Sequence, residues 1–187
     1  MDQCEIVLAF WFSDIDPAQW WRDNSAFDDL IRQHFCPLLT RASRAGLPHW
    51  RESPRGRLAE ILVLDQFPRR VFRGTPEAFA YERLAMGCAQ EAIDVGDDMR
   101  LPMAKRVFVY GALWHGENHR MHELALSKLR APGLELAFKC AQRHKDIIDR
   151  FGRDQCRNAV LERINTPEEE EFLLQRRKRQ SLAALGL

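Results

Sequence analysis

Three segments of this sequence place titratable side chains beside apolar ones, where acid–base chemistry becomes possible. Asp65 directly follows the apolar residues 61–64, His115 and Glu117 follow another apolar run, and His144 falls on the apolar side of a predicted helix. Burying a carboxylate without a partner costs several kcal/mol, so Asp65 must find a partner or line a cavity. If folding gathers these groups in one cavity, they can act as general acids and bases.

The least elaborate enzyme built from these groups performs hydrolysis or proton transfer. In it His115 is the general base and Glu117 orients its ring. The sequence leaves structural alternatives open for the other two groups. Asp65 could cap a neighbouring helix or pair with a local arginine such as Arg69, and His144 could be a satisfied core residue.

Arginine is unusually frequent and suggests an anionic ligand. Of the 28 basic residues, 23 are arginine. The planar guanidinium suits bidentate contacts with carboxylates and phosphates, although codon bias in a GC-rich genome would give the same excess. We expect a small anionic molecule or a peptide as the ligand. The predicted ligand-binding residues are Gln66, Arg69, Arg73, Arg153, Arg157 and Asn158.

The histidines do not form a convincing metal motif. His119 and His122 extend His115 and Glu117 into the pattern H-x-E-x-H-x-x-H. Histidines three or four residues apart can share a helix face and bind a metal. Here Gly116 interrupts the helix and the spacing differs from H-E-x-x-H, so the sequence predicts no metal site and identifies no cofactor.

The sequence has five cysteines, an odd number, and no two of them are spaced as C-x-x-C. This pattern argues against a disulfide framework or a structural zinc, and it favours reduced thiols in the cytoplasm. Cys156 precedes Arg157, and a lowered pKa could make it a nucleophile, although no base is evident beside it.

Composition excludes several classes of protein. The net charge is +1, without the basic excess of a nucleic-acid or membrane-surface binder. No apolar run approaches the 18 residues of a transmembrane helix, and the N-terminus lacks the basic segment of a secretory signal. A length of 187 residues fits one domain over residues 1–187, which we expect in the cytoplasm.

Apolar residues recur at helical spacing along the chain, and no segment alternates as a strand would. Residues 57–67 are apolar nearly all round, which predicts a central helix ended by Pro68. Residues 25–42 predict an amphipathic helix with a kink or break at Pro37. Further helices are predicted over 75–95, from 102 onward, over 132–151, and after a capping box at Thr166. The predicted fold is all-α, with about eight helices.

Several motifs together resemble the bacterial domain of unknown function 924 family over residues 5–173. They are Leu64-Asp65-Gln66-Phe67-Pro68-Arg69, Phe72-Arg73-Gly74-Thr75-Pro76, His115-x-Glu117, and His144 through Phe151-Gly152-Arg153 with Arg157-Asn158. The resemblance implies an all-α, tetratricopeptide-like superhelix, and it places every predicted site residue at a motif position. It assigns no activity. Asp154-Gln155-Cys156 stand where the family usually has Phe-Pro-His, so Cys156 is peculiar to this chain.

Two functions remain open at this point. The first is a small-molecule pocket in which the histidines and carboxylates converge. Such a pocket either catalyses a reaction or only binds its ligand. The second is a scaffold whose concave face holds a protein or peptide without catalysis, with Trp20, Trp21 and Trp50 as exposed anchors. The pocket is favoured because the family motifs concentrate on charged residues and histidines.

Overall fold

The computed structural model describes residues 2–20 and 22–184, and within them the fold is entirely helical. The α-helices are α1 (Gln3–Ala9), α2 (Ser25–Ala42), α3 (Pro54–Ile61), α4 (Phe67–Val71), α5 (Glu82–Asp94), α6 (Met103–Trp114), α7 (His119–Leu129), α8 (Glu135–Phe151) and α9 (Pro167–Ala184). Helices α3 and α4 are joined into one continuous helix, which we call the central rod. Counted in this way, the described residues form eight helices and no strand. This confirms the predicted all-α class, while the superhelical arrangement stays a prediction.

The rod made by α3 and α4 lies at the centre of the molecule, as its all-round apolar surface predicts. Its residues 58–64 are buried without exception, and α1, α2, α5 and α6 all pack against it. The prediction that Pro68 ends this helix was wrong. A π-helical turn over Leu62–Gln66 precedes the proline, and the wider turn accommodates a residue that lacks an N–H, so the helix continues to Val71.

The other proline, Pro37, also fails to break its helix. Helix α2 is continuous from Ser25 to Ala42, and Asn24 caps it by accepting a hydrogen bond from the Phe27 N–H. Phe35 and Leu38, on either side of the proline, are both buried against the core. Apolar burial on both sides offsets the lost backbone hydrogen bond.

Helices α5 to α8 pack in sequence, each against the next. Two helix starts differ from prediction. Thr75 does not cap α5, since its hydroxyl donates to the carbonyl of Phe72, and residues 76–79 make a 3₁₀ turn before the helix starts at Glu82. Helix α8 likewise begins at Glu135 rather than at 132.

The predicted ends of two helices are confirmed by left-handed glycines. Gly96 follows α5 with a φ of 74°, and Gly152 follows α8 with a φ of 71°. The capping box before α9 is also confirmed, because the Thr166 hydroxyl accepts from the Glu169 N–H and the Glu169 carboxylate accepts from the Thr166 N–H. Within the described ranges, no helix is long and apolar enough to cross a membrane.

Candidate functional site

Asp65 occupies the π-helical turn of the central rod and is only 2% exposed. The ring of His115 donates from Nδ1 to both carboxylate oxygens, at 2.9 and 2.8 Å. Gln66 Nε2 donates to Oδ2 at 2.6 Å, and Arg69 Nε donates to Oδ1 at 3.3 Å. The buried carboxylate therefore has the partners that its position in the sequence requires.

These partners decide the protonation of the pair. Burial alone would raise the pKa of Asp65, but the positive charges of His115 and Arg69 and the hydrogen bonds from His115 and Gln66 hold that pKa well below its usual range. Asp65 is thus a carboxylate and acts only as an acceptor. Nδ1 of His115 must then carry the proton of this contact, so the neutral form of the ring would have its lone pair on Nε2.

His115 follows the last residue of α6 and faces an apolar pocket of about 820 Å³. Helix α6, the start of α8 and the segment before α2 supply most of the wall. We call this cavity the apolar pocket. Its apolar side chains include Trp20, Val107, Phe108, Leu134, Leu136 and Ala137. Among the described residues, Nε2 of His115 has no hydrogen-bond partner.

His144 reaches the same pocket from α8. Burial, together with the positive charge of His115, lowers the pKa of His144 to about 4, so its ring is neutral near pH 7. It makes no hydrogen bond within the described part of the chain. The structure therefore brings His115 and His144 to one wall, whereas Asp65 contacts His115 but does not itself line that wall.

The predicted arginine clamp is not formed by Arg69 and Arg157. Both guanidinium groups bind Glu82, and both lie over the ring of Phe79. Arg157 also donates to the backbone carbonyl of His115. The expectation that these two side chains hold an anionic ligand is not supported, because their charges are already balanced by a carboxylate. Instead they fix the end of α6, and with it His115.

Three other predicted ligand-binding residues lie in contacts away from the apolar pocket. Arg73 pairs with Asp28 and Asp23, which ties the end of α4 to the start of α2. Arg153 pairs with Glu169, at 2.7 Å, and the amide of Asn158 donates to Asn165. These side chains fasten elements of the fold together.

Glu117 does not orient His115, contrary to prediction. Its carboxylate accepts two hydrogen bonds from Arg163 at 2.8 Å and one from the Asp154 N–H. Burial opposes ionisation of Glu117, but the Arg163 hydrogen bond lowers its pKa. The orienting carboxylate is Asp65. Sequence separation hides this pair, because Asp65 and His115 are 50 positions apart.

The histidines of the H-x-E-x-H-x-x-H pattern diverge. His119 bonds to Asp149, and His122 is buried with its Nε2 on the carbonyl of Gly116. Within residues 2–20 and 22–184, no three potential ligands gather as a metal site would need. Cys156 is not activated either, because burial and the charge of Asp154 raise its pKa.

The tryptophan evidence for a scaffold is weak. Trp50 belongs to the core at 2% exposure, and Trp20 is half-buried against Trp11, whose backbone carbonyl accepts its indole N–H at 3.0 Å. Trp21 lies outside the described residues. Two of the three tryptophans therefore pack inward, which fits the core interpretation of these residues rather than the role of exposed anchors.

Sequence reasoning missed the groups that complete the site. Glu82 was not chosen, although it joins Arg69 to Arg157. The pocket residues Ala137 and Cys140 precede His144 by seven and four positions. This helical spacing places all three on one face of α8, so the signal was present in the sequence.

Comparison with known families finds a match over most of the chain. The sequence pattern of a bacterial protein family of unknown function, DUF924, matches residues 7–177. The chain belongs to this family. The match covers every residue of the site described above, and the motif resemblance found in the sequence is confirmed.

A solved structure shares the family's fold. The protein of unknown function from Agrobacterium tumefaciens has 36% sequence identity and a TM-score of 0.87, with 91% of this chain and 96% of that chain covered. No curated protein matches the sequence. Membership in this family therefore carries no activity with it, and a function has to be argued from the site.

Proposed function

We propose that this protein is a hydrolase-type enzyme that acts on a small molecule held in the apolar pocket, with His115 as general base. One observation carries the proposal. The His115 ring is bound at Nδ1 by a buried carboxylate, while its Nε2 has no partner among the described residues and the ring lines a pocket. A positioned base of this kind is the common feature of acid–base catalysis.

The chemistry follows from the tautomer. Asp65 keeps the proton on Nδ1, so Nε2 removes a proton from a water molecule as that water attacks an acyl carbon. The imidazolium formed is stabilised by the charge of Asp65. It then returns the proton to the leaving group, which restores the starting state of the ring. His144, neutral near pH 7, can donate a hydrogen bond to the substrate at the same wall.

The pocket also suggests how the substrate is held. Most of its wall is apolar, and a ligand that buries apolar surface there gains about 25 cal/mol per Å². A substrate that covers this wall displaces bulk water from it, which strengthens the interaction between Asp65 and the imidazolium. We infer that an apolar portion of the substrate fills this space while the reacting group lies against His115.

The test is turnover of a panel of aryl and acyl esters, thioesters and amides of increasing chain length. His115→Ala should lower kcat/KM by about 10²–10⁴-fold. Asp65→Asn should lower it by a comparable factor, because the amide can offer an N–H to Nδ1 and so move the ring proton to Nε2. Both variants must be folded by circular dichroism before their kinetics are compared.

His34→Ala is the matched control, since His34 is exposed on α2 and lines no described pocket. It should turn over substrate at the wild-type rate. If the wild-type protein hydrolyses no member of the panel, or if His115→Ala keeps full activity, the proposed hydrolase function is overturned.

A further inference from the structure

A second pocket of about 790 Å³ lies on the other half of α8, next to the start of α9. Its wall combines apolar and charged side chains. We call it the arginine pocket, after Arg143, Arg150 and Arg176, which line it together with Ile147, Phe151 and Phe172. Two carboxylates, Asp146 and Asp154, also contribute to the wall. The arginine pocket contains none of the arginines that sequence motifs suggested for ligand binding.

The two pockets meet at the centre of α8. Cys140 and His144, one helical turn apart, line both of them. The distance along the helix axis from Ala137 in the apolar pocket to Arg143 in the arginine pocket is about 9 Å, at 1.5 Å per residue. One elongated molecule can therefore occupy both pockets and pass His144 on the way.

The charges of the arginine pocket are unevenly balanced. Arg150 pairs with Glu168, while Asp154 accepts hydrogen bonds from the Cys156 N–H and from Arg157. Asp146 accepts from Gln142. Arg150 and Asp154 are thus in ion pairs, whereas Asp146 has no cation partner among the described residues and leaves one negative charge on this wall.

Two cations on the same wall are not engaged by a carboxylate. Arg143 has no hydrogen bond or ion pair, and Arg176 donates only to the sulfur of Cys156, as far as the described residues extend. Guanidinium groups bind carboxylates and phosphates well. The free positive charge therefore lies at one end of the combined space and the apolar wall at the other.

We propose that the substrate is an amphipathic anion, whose apolar chain or ring lies in the apolar pocket and whose carboxylate or phosphate binds Arg143 and Arg176. This inference rests on the proposed function, because it assigns a substrate class to the same site. The linkage between the two parts of the molecule then lies beside His144 and close to the wall that holds His115.

The test uses three simple probes below their micelle concentrations: decanoate, decyl phosphate and uncharged 1-decanol. Binding is measured by isothermal titration calorimetry at low ionic strength. The wild-type protein should bind at least one of the two anions at least 10-fold more tightly than 1-decanol, and comparing decanoate with decyl phosphate shows which anionic group is preferred. Butyrate, which has the charge but little apolar surface, should bind at least 10-fold more weakly than decanoate.

Variants separate the two ends of the site. Arg143→Gln with Arg176→Gln should weaken binding of the preferred anion about 10-fold and change 1-decanol binding less than twofold. Leu136 is a wall residue that is 78% exposed and so tolerates substitution. Leu136→Asp should weaken binding of both the preferred anion and 1-decanol. Arg44→Gln, at an exposed arginine that lines neither pocket, should leave all affinities unchanged.

Equal affinity of the wild-type protein for anions and 1-decanol would overturn the inference, as would unchanged anion binding in the double arginine variant. These outcomes differ from failure of the proposed function. If His115→Ala keeps full turnover while the anion preference and its arginine dependence persist, the catalytic role fails but the ligand class stands.

Discussion

Two buried carboxylates in this protein collect several hydrogen-bond donors, yet they serve different ends. Asp65, in the central rod, binds His115, Gln66 and Arg69 beside the apolar pocket. Glu169, at the start of α9, binds Arg153 and the N–H of Thr166. The difference lies in the donors. An imidazole can release and accept a proton near pH 7, whereas a guanidinium and a peptide N–H cannot.

The comparison shows that clustering of family-motif residues does not by itself mark an active site. The motif arginine Arg153 pairs with a carboxylate that also caps a helix, which gives it an architectural role. The motif histidine His115 has Nδ1 on a carboxylate and lines a cavity, and its Nε2 has no hydrogen-bond partner among the described residues. That second, uncommitted atom distinguishes a group that can do chemistry from one that only holds the fold.

The largest expected effect comes from removing the carboxylate of the first cluster. Asp65→Ala leaves His115, Gln66 and Arg69 without their acceptor in a buried setting. The free energy of unfolding should fall by about 3–5 kcal/mol, which is measured by urea denaturation. Asp146→Ala, at an exposed carboxylate, is the control and should change it by about 0.5 kcal/mol or less. A small loss for Asp65→Ala would mean that the cluster does not stabilise the fold.

Breaking the second cluster should cost less and act locally. Glu169→Ala removes the capping interaction with Thr166 and the bidentate contact with Arg153, so the free energy of unfolding should fall by about 2 kcal/mol. Hydrogen exchange should quicken in α9 first. The exposed pair of Glu168 and Arg150 offers the control, since Glu168→Ala should cost about 0.5 kcal/mol or less. Loss of hydrolytic activity in Glu169→Ala would contradict the purely structural role that we assign to the Glu169 cluster.

The pH dependence of the free energy of unfolding tests the protonation state of His144 at the wall of the apolar pocket. The pKa of His144 is lowered in the folded protein from 6.5 to about 4, so between these values the unfolded chain binds more protons. The contribution of His144 to the free energy of unfolding is therefore complete above pH 6.5. It is lost as the pH drops toward 4, which lowers the free energy of unfolding by about 2 kcal/mol after allowance for partial exposure.

His144→Gln should flatten this pH dependence in thermal denaturation between pH 4 and 7. Some slope should remain, because burial also lowers the pKa of His122. His34→Gln, at an exposed site, should keep the wild-type slope. An unchanged slope in His144→Gln would show that the ring is protonated in the folded protein, and a neutral donor at the pocket wall would then be lost from the mechanism.

The smallest expected effect compares two arginines. Arg143→Gln should change the free energy of unfolding by about 0.5 kcal/mol or less, because within the described chain this side chain has no carboxylate partner. Arg153→Gln should cost about 1–2 kcal/mol through the loss of its contacts with Glu169. The two values come from urea denaturation under identical conditions. A stability loss for Arg143→Gln as large as for Arg153→Gln would indicate a structural role for Arg143.

Much of the fold was predictable because its signals are local. The apolar spacing of 25–42 and 57–67, the left-handed Gly152 and the Thr166 capping box each depend on residues within a few turns of one another. The predicted helix end at Pro68 and a break near Pro37 were wrong for the opposite reason. Whether Pro37 and Pro68 end a helix depends on burial and on a neighbouring π turn, which their local sequence does not reveal.

The site was predictable in its members but not in its pairings. His115 and His144 line the same wall and Asp65 bonds to His115, and each was chosen as a titratable group in apolar surroundings. Glu117 was assigned to His115 because the two are close in sequence, yet its partner is Arg163. The arginines chosen for an anion were found on carboxylates, and the arginines without carboxylate partners stood outside the chosen motifs.

By itself, the sequence determined the all-α class, several helix boundaries and the residue types that bear the chemistry. These properties follow from helical periodicity, capping and the cost of burying charge, all of which act over a few residues. Only the tertiary structure decided that Asp65 meets His115 across 50 residues, and which charges remain free along α8. Such pairings depend on how whole helices pack, and many different packings are compatible with the same local pattern.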